Sequence, residues 1–195
     1  ELRGQGVKNI LALRGDIPKK SEAIGEFKYA SELVEYINKI GGFGIAAACY
    51  PEGHIDSGSL ERDIENLKIK VDAGADYLIS QLFFDNNYFY EFLNLAEQKG
   101  INIPIQAGIM PIANKKQIER IVSLCGATVP HKFTNIMDKY EHDEEILREV
   151  GIAYATEQII DLISTGVRGI HLYTMNNPYI ARKITNNISA VMSFA

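Results

Sequence analysis

The sequence predicts a parallel α/β fold, and three observations carry the prediction. Short apolar runs of strand length alternate with longer runs of helical period along the whole chain. The strand runs are apolar almost throughout, as strands covered on both faces must be. Polar residues gather just after the strand runs: Arg14 and Asp16, Glu52 and His54, Gln81 and Asp85, Asn114 and Gln117, Asn176 and Asn177. One polar face at the carboxyl ends is what a (β/α) barrel provides. An open doubly wound sheet is the alternative, but neither Gly-x-Gly-x-x-Gly nor Gly-x-x-x-x-Gly-Lys-Ser/Thr occurs.

The first strand is expected over Asn9–Leu13, followed by the turn-rich Arg14-Gly15-Asp16-Ile17-Pro18. Leu33, Val34, Ile37 and Ile40 then recur at helical spacing until Gly41-Gly42. The second strand runs from Gly44 to Tyr50 and stops at Pro51. Ser59 can cap a helix whose Leu60, Ile64, Leu67, Val71 and Ala75 share one face, with Asp63 and Asn66 on another. Three more strands are expected over Asp76–Phe84, Ile103–Met110 and Gly169–Thr174. Helices over Tyr88–Gln98, Lys115–Leu124, Asp143–Ser164 and Pro178–Ile188 fill the intervals. Glu1 to Gly6 reads as the last turn of a helix stopped by glycine, so the chain is expected to open at the end of an element.

At 195 residues the chain suits a single domain, residues 1–195, with a sizeable core. A net charge of −5 disfavours a nucleic acid or an anionic membrane as partner. With no apolar run of membrane-spanning length, a cytoplasmic enzyme is the expectation. Cys49 lies in an apolar run and Cys125 ends a helical one; both read as inert thiols, and no metal-type spacing occurs.

The segment Leu11-Ala12-Leu13-Arg14-Gly15-Asp16-Ile17-Pro18 resembles a strand end of the flavin-dependent methylenetetrahydrofolate reductases of bacterial type. The likeness continues through Tyr29-Ala30, Ala47–His54, Asn66-Leu67-Lys68, Lys70–Ala75, Gln81–Asp85, Gly108–Ile112 with Gln117, and His171–Asn176. It implies a (β/α)8 TIM-barrel fold of which this chain holds about the last five strand–helix units, family strands 4 to 8. It also implies the activity. NADH or NADPH reduces a flavin, FAD with FMN as the alternative. Hydride then passes to 5,10-methylenetetrahydrofolate, giving 5-methyltetrahydrofolate for one-carbon metabolism and methionine biosynthesis.

By that resemblance Asp16 is the catalytic candidate, beside both flavin and folate. Opening the folate's five-membered ring leaves a cationic iminium, and a carboxylate at about 4 Å attracts it by roughly 4 kcal/mol at an effective dielectric near 20. Without the motif, Asp16 reads as a turn aspartate. Arg14, Gly15, Asp16, Tyr29, Ala30, Ala48, Tyr50, His54, Asp63, Asn66 and Lys70 match flavin-binding positions, Asp63 for a ribose hydroxyl and Lys70 for the diphosphate. A lone helical lysine is otherwise solvated. Gln81 and Gln117, with Asp16, match substrate-binding positions; an amide supplies the donor and acceptor that a pterin edge needs. His131, His142 and His171 receive no role, and Arg-Gly-Asp as an adhesion signal is a chance match.

Two positions depart from the family pattern. Ile69 stands where many relatives have arginine, which weakens the diphosphate site and leaves FMN open. Asn177 stands where many have arginine beyond the last strand, so the usual contact to the folate's glutamate tail or to the nicotinamide cofactor lacks its cation. The family's general acid, a first-strand glutamate, is expected upstream of Glu1, and neither Glu1 nor Glu52 is given that role. The chain alone is therefore expected to show negligible turnover, and its open barrel edges to favour a homo-oligomer or association with another chain. The competing readings are a non-catalytic flavin cradle or partner subunit, and an unrelated barrel enzyme of aldolase type.

Overall fold

The computed structural model describes residues 1–15 and 26–193. Five parallel strands lie side by side in sequence order: β1 (Asn9–Ala12), β2 (Gly44–Cys49), β3 (Tyr77–Ser80), β4 (Ile105–Ile109) and β5 (Ile170–Leu172). The order never reverses, so no switch point of the doubly wound kind exists among the described residues. Right-handed crossovers between strands in sequence order put every connecting helix on the same face, which is how a barrel is wound.

The helices are α1 (Ala30–Ile40), α2 (Leu60–Asp72), α3 (Asn86–Gln98), α4 (Lys115–Cys125), α5 (His131–Lys139), α6 (Glu144–Ser164) and α7 (Pro178–Met192). Short polar side chains start most of them. Ser59, Asp85, Asn114, Asp143 and Asn177 each accept a backbone N–H of the following first turn. Because α2, α3, α4 and α7 each follow a strand, the caps Ser59, Asp85, Asn114 and Asn177 collect at the carboxyl end of the sheet. The opening expected as a helix end is a 3-10 turn, Leu2–Gln5, closed by Gly6 at φ 85°.

Two apolar clusters hold the fold. The larger joins β2, β3 and β4 to α1, α2, α3, α6 and α7 through Val34, Ile45, Leu67, Leu78, Phe89, Phe92, Ile159 and Leu162. The smaller sits beyond the carboxyl ends of β3 and β4 and gathers Phe84, Met110, Ile112, Ile118, Phe133, Met137 and Leu147. α5 exists to close that second cluster, burying Phe133 and Met137 one turn apart. Sequence reasoning left this stretch without an element; Pro130 followed by apolar residues four apart was the available signal.

The third strand is shorter than expected. It ends at Ser80, and Gln81–Asp85 forms a buried loop. The Ser80 hydroxyl accepts the Gly108 N–H at 2.8 Å and so takes a place in the β3–β4 ladder. Beyond it, side chains satisfy the loop's carbonyls: Gln158 donates to Phe83 O at 3.4 Å and Tyr154 to Phe84 O at 2.6 Å. An apolar run reads as strand, but here partners from α6 replace the neighbouring strand.

Candidate active face at the carboxyl ends of the strands

After β1 the chain passes through Leu13, Arg14 and Gly15, the last at φ 75°, a conformation glycine adopts without strain. Asp16 lies outside the described residues, as do Ile17 and Pro18. Arg14 reaches across to the β2–α2 loop, where its guanidinium stands 3.7 Å from the Asp56 carboxylate. Both groups face solvent, so the pair orients more than it stabilises.

The β2–α2 loop folds around His54. The Asp56 backbone N–H donates to His54 Nδ1 at 3.1 Å, which assigns the ring proton to Nε2. The Asp56 carboxylate, 3.7 Å from the same nitrogen, is then a neighbour and no ion-pair partner. The imidazole meets Tyr50 edge-on, ring centroids 4.6 Å apart. Asp63, only 7% exposed, accepts the Ser57 hydroxyl at 2.7 Å and braces the loop against α2.

Lys70 is not solvated, as a lone helical lysine otherwise is. Its Nζ donates to Ala48 O at 2.6 Å and lies 5.8 Å from the centre of the Tyr50 ring. Strand alternation explains the bond. Cys49 O accepts Gln81 N–H and so faces β3; Ala48 O must therefore face β1, whose pairing with β2 has ended at Ala12–Ala47. The ammonium supplies the missing donor. Burial holds the Lys70 pKa below its ordinary value, opposed by the fields of Cys49 and Asp63. The Cys49 thiol, fully buried, is pushed up to about 12, and Cys125 is raised by burial as well; both are inert in the sense expected.

Ala48, Tyr50, His54 and Lys70 thus meet at one point. Arg14 joins them through Asp56. Asn66 is exposed one turn before Lys70, and Tyr29 and Ala30 stand at the start of α1, Tyr29 being 52% exposed. Ile69, 58% exposed, faces solvent.

The two glutamines come from neighbouring strand ends. Gln81 Oε1 accepts Leu82 N–H at 3.0 Å, which leaves its Nε2 without a partner among the described residues. Gln117 lies half-buried in the first turn of α4; its backbone N–H goes to the Asn114 cap at 3.1 Å, and its amide is unused among the described residues. Ser80 and Tyr173 were passed over in the sequence. The Tyr173 hydroxyl donates to Ser80 O at 2.9 Å, and burial raises its pKa to about 12. A polar residue ending an apolar strand was the signal for Ser80.

Glu52 links this face to the far side. Both its oxygens accept the Thr128 N–H, at 3.1 and 3.0 Å. Burial raises its pKa, the Thr128 contact opposes that, and Asp85 adds to it. A cavity of about 250 Å³ lies beside it, lined by His54, Ile55, Ser59, Cys125 and Gly126 among others. A second cavity of about 270 Å³, lined by Leu93, Ile103, Ile105, Val167 and Arg168, opens at the amino ends of β4 and β5, away from all these groups.

A parallel sheet wound in sequence order, with its uncommitted amides and cations at one end, defines a (β/α)-barrel-type protein with its site at the carboxyl face. The fold is shared with a solved structure described as an uncharacterized protein from Clostridium thermocellum that binds two copies of 5-methyl-5,6,7,8-tetrahydrofolic acid; the TM-score is 0.62, with 15% identity over 85% of this chain and 59% of that one. The family model for methylenetetrahydrofolate reductase matches residues 1–189. The chain belongs to the methylenetetrahydrofolate reductase family.

It is 38% identical to methylenetetrahydrofolate reductase (NADH) 1 of Zea mays, over 97% of this chain and 35% of the maize protein. It is 34% identical to 5,10-methylenetetrahydrofolate reductase of Escherichia coli strain K12, over 94% of this chain and 61% of that protein. The chain therefore spans about a third of the plant relative and three-fifths of the bacterial one.

Proposed function

We propose that this chain forms the flavin- and folate-binding face of a methylenetetrahydrofolate reductase, which reduces 5,10-methylenetetrahydrofolate to 5-methyltetrahydrofolate at the expense of NADH. The observation that carries the reading is the convergence of Tyr50, His54 and Lys70 beside two uncommitted amides, Gln81 and Gln117, at one end of the sheet.

The residues fit a flavin nucleotide. Lys70, held by a single backbone acceptor, keeps two N–H groups for a diphosphate oxygen. His54 presents Nε2–H, and Asn66 an exposed amide. Asp63 would take a ribose hydroxyl on the oxygen that Ser57 does not use. Arg14, Gly15, Tyr29, Ala30 and Ala48 line the same end. The flavin supplies hydride when bound. The chain's own contribution is to hold the pterin edge with Gln81 and Gln117; by family position Asp16, outside the described residues, would supply the carboxylate that answers the developing iminium charge. FAD is the flavin proposed, because Asn66 would have no adenosine half to meet in FMN, whose single phosphate Lys70 could also hold. The outer edges of β1, where Leu11 is 42% exposed, and of β5 call for further strands from the same polypeptide or from another chain.

The natural protein should be yellow when purified, and should oxidise NADH in the presence of 5,10-methylenetetrahydrofolate. Asp16→Asn should keep the colour and slow folate reduction more than flavin reduction. A folded, colourless protein that takes up no added FAD sinks the reading.

A further inference from the structure

At the end of β3 the backbone ladder stops, and two side chains take over its bonds. The rung from Leu78 N–H to Pro104 O, at 2.9 Å, faces β4; the rung from Gln81 N–H to Cys49 O, at 2.7 Å, faces β2. A regular parallel ladder would next bring Gly108 N–H to Ser80 O, and the N–H of residue 51 to Gln81 O. The β3–β4 register instead ends at Ile79–Gln106, and Pro51 has no N–H to give.

Ser80 and Tyr173 fill both gaps. The Ser80 hydroxyl accepts Gly108 N–H at 2.8 Å and donates its own proton to Gln81 O at 2.9 Å, in place of the proline. Ser80 O is thereby released from the ladder, and the Tyr173 hydroxyl donates to it at 2.9 Å. Ser80 is fully buried, so any of these bonds left unmade would carry the cost of a dry, unpaired polar group.

Tyr173 reaches β3 from the far side of β4. Its backbone N–H prolongs β5 by donating to Ile109 O at 2.9 Å. Its ring then crosses Gly108, where a Cβ would stand 2.8 Å from Tyr173 Cε2 and 2.2 Å from Ser80 O. Glycine keeps that passage open. Burial pushes the Tyr173 pKa up to about 12, so the phenol stays a donor at neutral pH.

Gln81 is the residue these bonds hold. Its peptide is fixed at the N–H by Cys49 O and at the carbonyl by the Ser80 hydroxyl. Its side chain turns back, with Oε1 accepting Leu82 N–H at 3.0 Å. The end left over is Nε2, which donates and cannot accept.

We infer that Tyr173 and Ser80 are positioning residues that set Gln81 as a hydrogen-bond donor toward a lone-pair edge of the substrate. That the substrate is a folate rests on the reading above; the positioning of Gln81 does not.

The test uses the full-length protein and begins without ligand. In Tyr173→Phe, which keeps the ring, hydrogen exchange at Leu82 N–H should quicken about tenfold while the amides of α2 keep their rates. Ser80→Ala should do the same, and Tyr173→Phe carries the test if that variant does not fold. Affinity for 5-methyltetrahydrofolate should fall about tenfold in Gln81→Met and about fivefold in Tyr173→Phe. Because Tyr173 acts through Gln81, the double variant should bind no more weakly than Gln81→Met alone. Gln81→Glu, which offers only acceptors at neutral pH, should bind more weakly still. Unchanged Leu82 exchange in Tyr173→Phe, or additive losses in the double variant, overturns the positioning role. Full affinity in Gln81→Glu overturns the donor assignment. Faster Leu82 exchange in a protein that binds no folate keeps the positioning and sinks the folate reading instead.

Discussion

The two flanks of the active face are built differently. On the β2–α2 side a six-residue strand is buried along most of its length, and the key cation, Lys70, is fastened to a backbone carbonyl. On the β5–α7 side the strand has three residues, none fully buried, and among the described residues the cations Arg148 and Lys183 meet the side chains of Tyr179 and Glu149. Backbone anchoring fixes a group before any ligand arrives, because the strand cannot repack cheaply. Side-chain anchoring leaves the β5–α7 flank freer to adjust.

The largest expected effect breaks the scaffold of the adjustable flank. α6 packs against the β4–α4 connection only because Gly151 has no side chain: a Cβ there would sit 1.8 Å from Ile112 O. Gly151→Ala should cost about 3 kcal/mol, the upper range for overpacking, since the obstacle is backbone. Thermal melts followed by circular dichroism measure it, and a loss below about 0.5 kcal/mol would mean α6 can slide away.

The next effect breaks the fixed flank. Lys70→Met leaves Ala48 O unpaired and removes the charge, so FAD affinity should fall about ten- to a hundredfold by fluorescence titration. The lowered pKa of Lys70 adds a pH signature. The folded chain releases that proton at lower pH than the unfolded chain, so stability rises with pH from the folded value up to the ordinary lysine range. Affinity for the flavin diphosphate should weaken over the same window. Both trends should vanish in Lys70→Met; their survival would place the titrating group elsewhere.

A smaller change tests the seam between the flanks. Glu52 has a raised pKa, so its proton is held more tightly in the folded state. Its stabilising contribution is complete below the unfolded carboxylate value and is lost as pH rises through the folded one. Glu52→Gln keeps an acceptor for Thr128 N–H and removes the charge. It should be neutral or stabilising at pH 7, by under about 1 kcal/mol after solvent screening, with a flatter pH–stability curve. A clear loss of stability would show that the ionised carboxylate holds the seam.

The smallest effect sharpens the cofactor assignment. Ile69 is 58% exposed, so Ile69→Arg should tighten FAD by no more than about fivefold, the scale of an exposed charge contact, and leave FMN unchanged. Equal tightening of both would move the contact to the phosphate that they share.

The sequence determined the parallel strands, their order and most helix starts, because alternation, apolar runs and capping residues act over a few neighbouring positions. It also marked the carboxyl-end residues, from Arg14 to Gln117, through local motifs. Three features were decided only by tertiary structure. Phe83 and Phe84 belong to a loop because α6 supplies hydrogen-bond partners from 70 and 75 residues away. Lys70 turns inward because β1 ends one residue too soon to pair with Ala48, a fact about a neighbouring strand. Arg148 faces Tyr179 because α6 and α7 pack side by side, which no spacing within either helix encodes. In each case the deciding partner is distant along the chain, and a hydrogen bond is specified by where its acceptor finally lies.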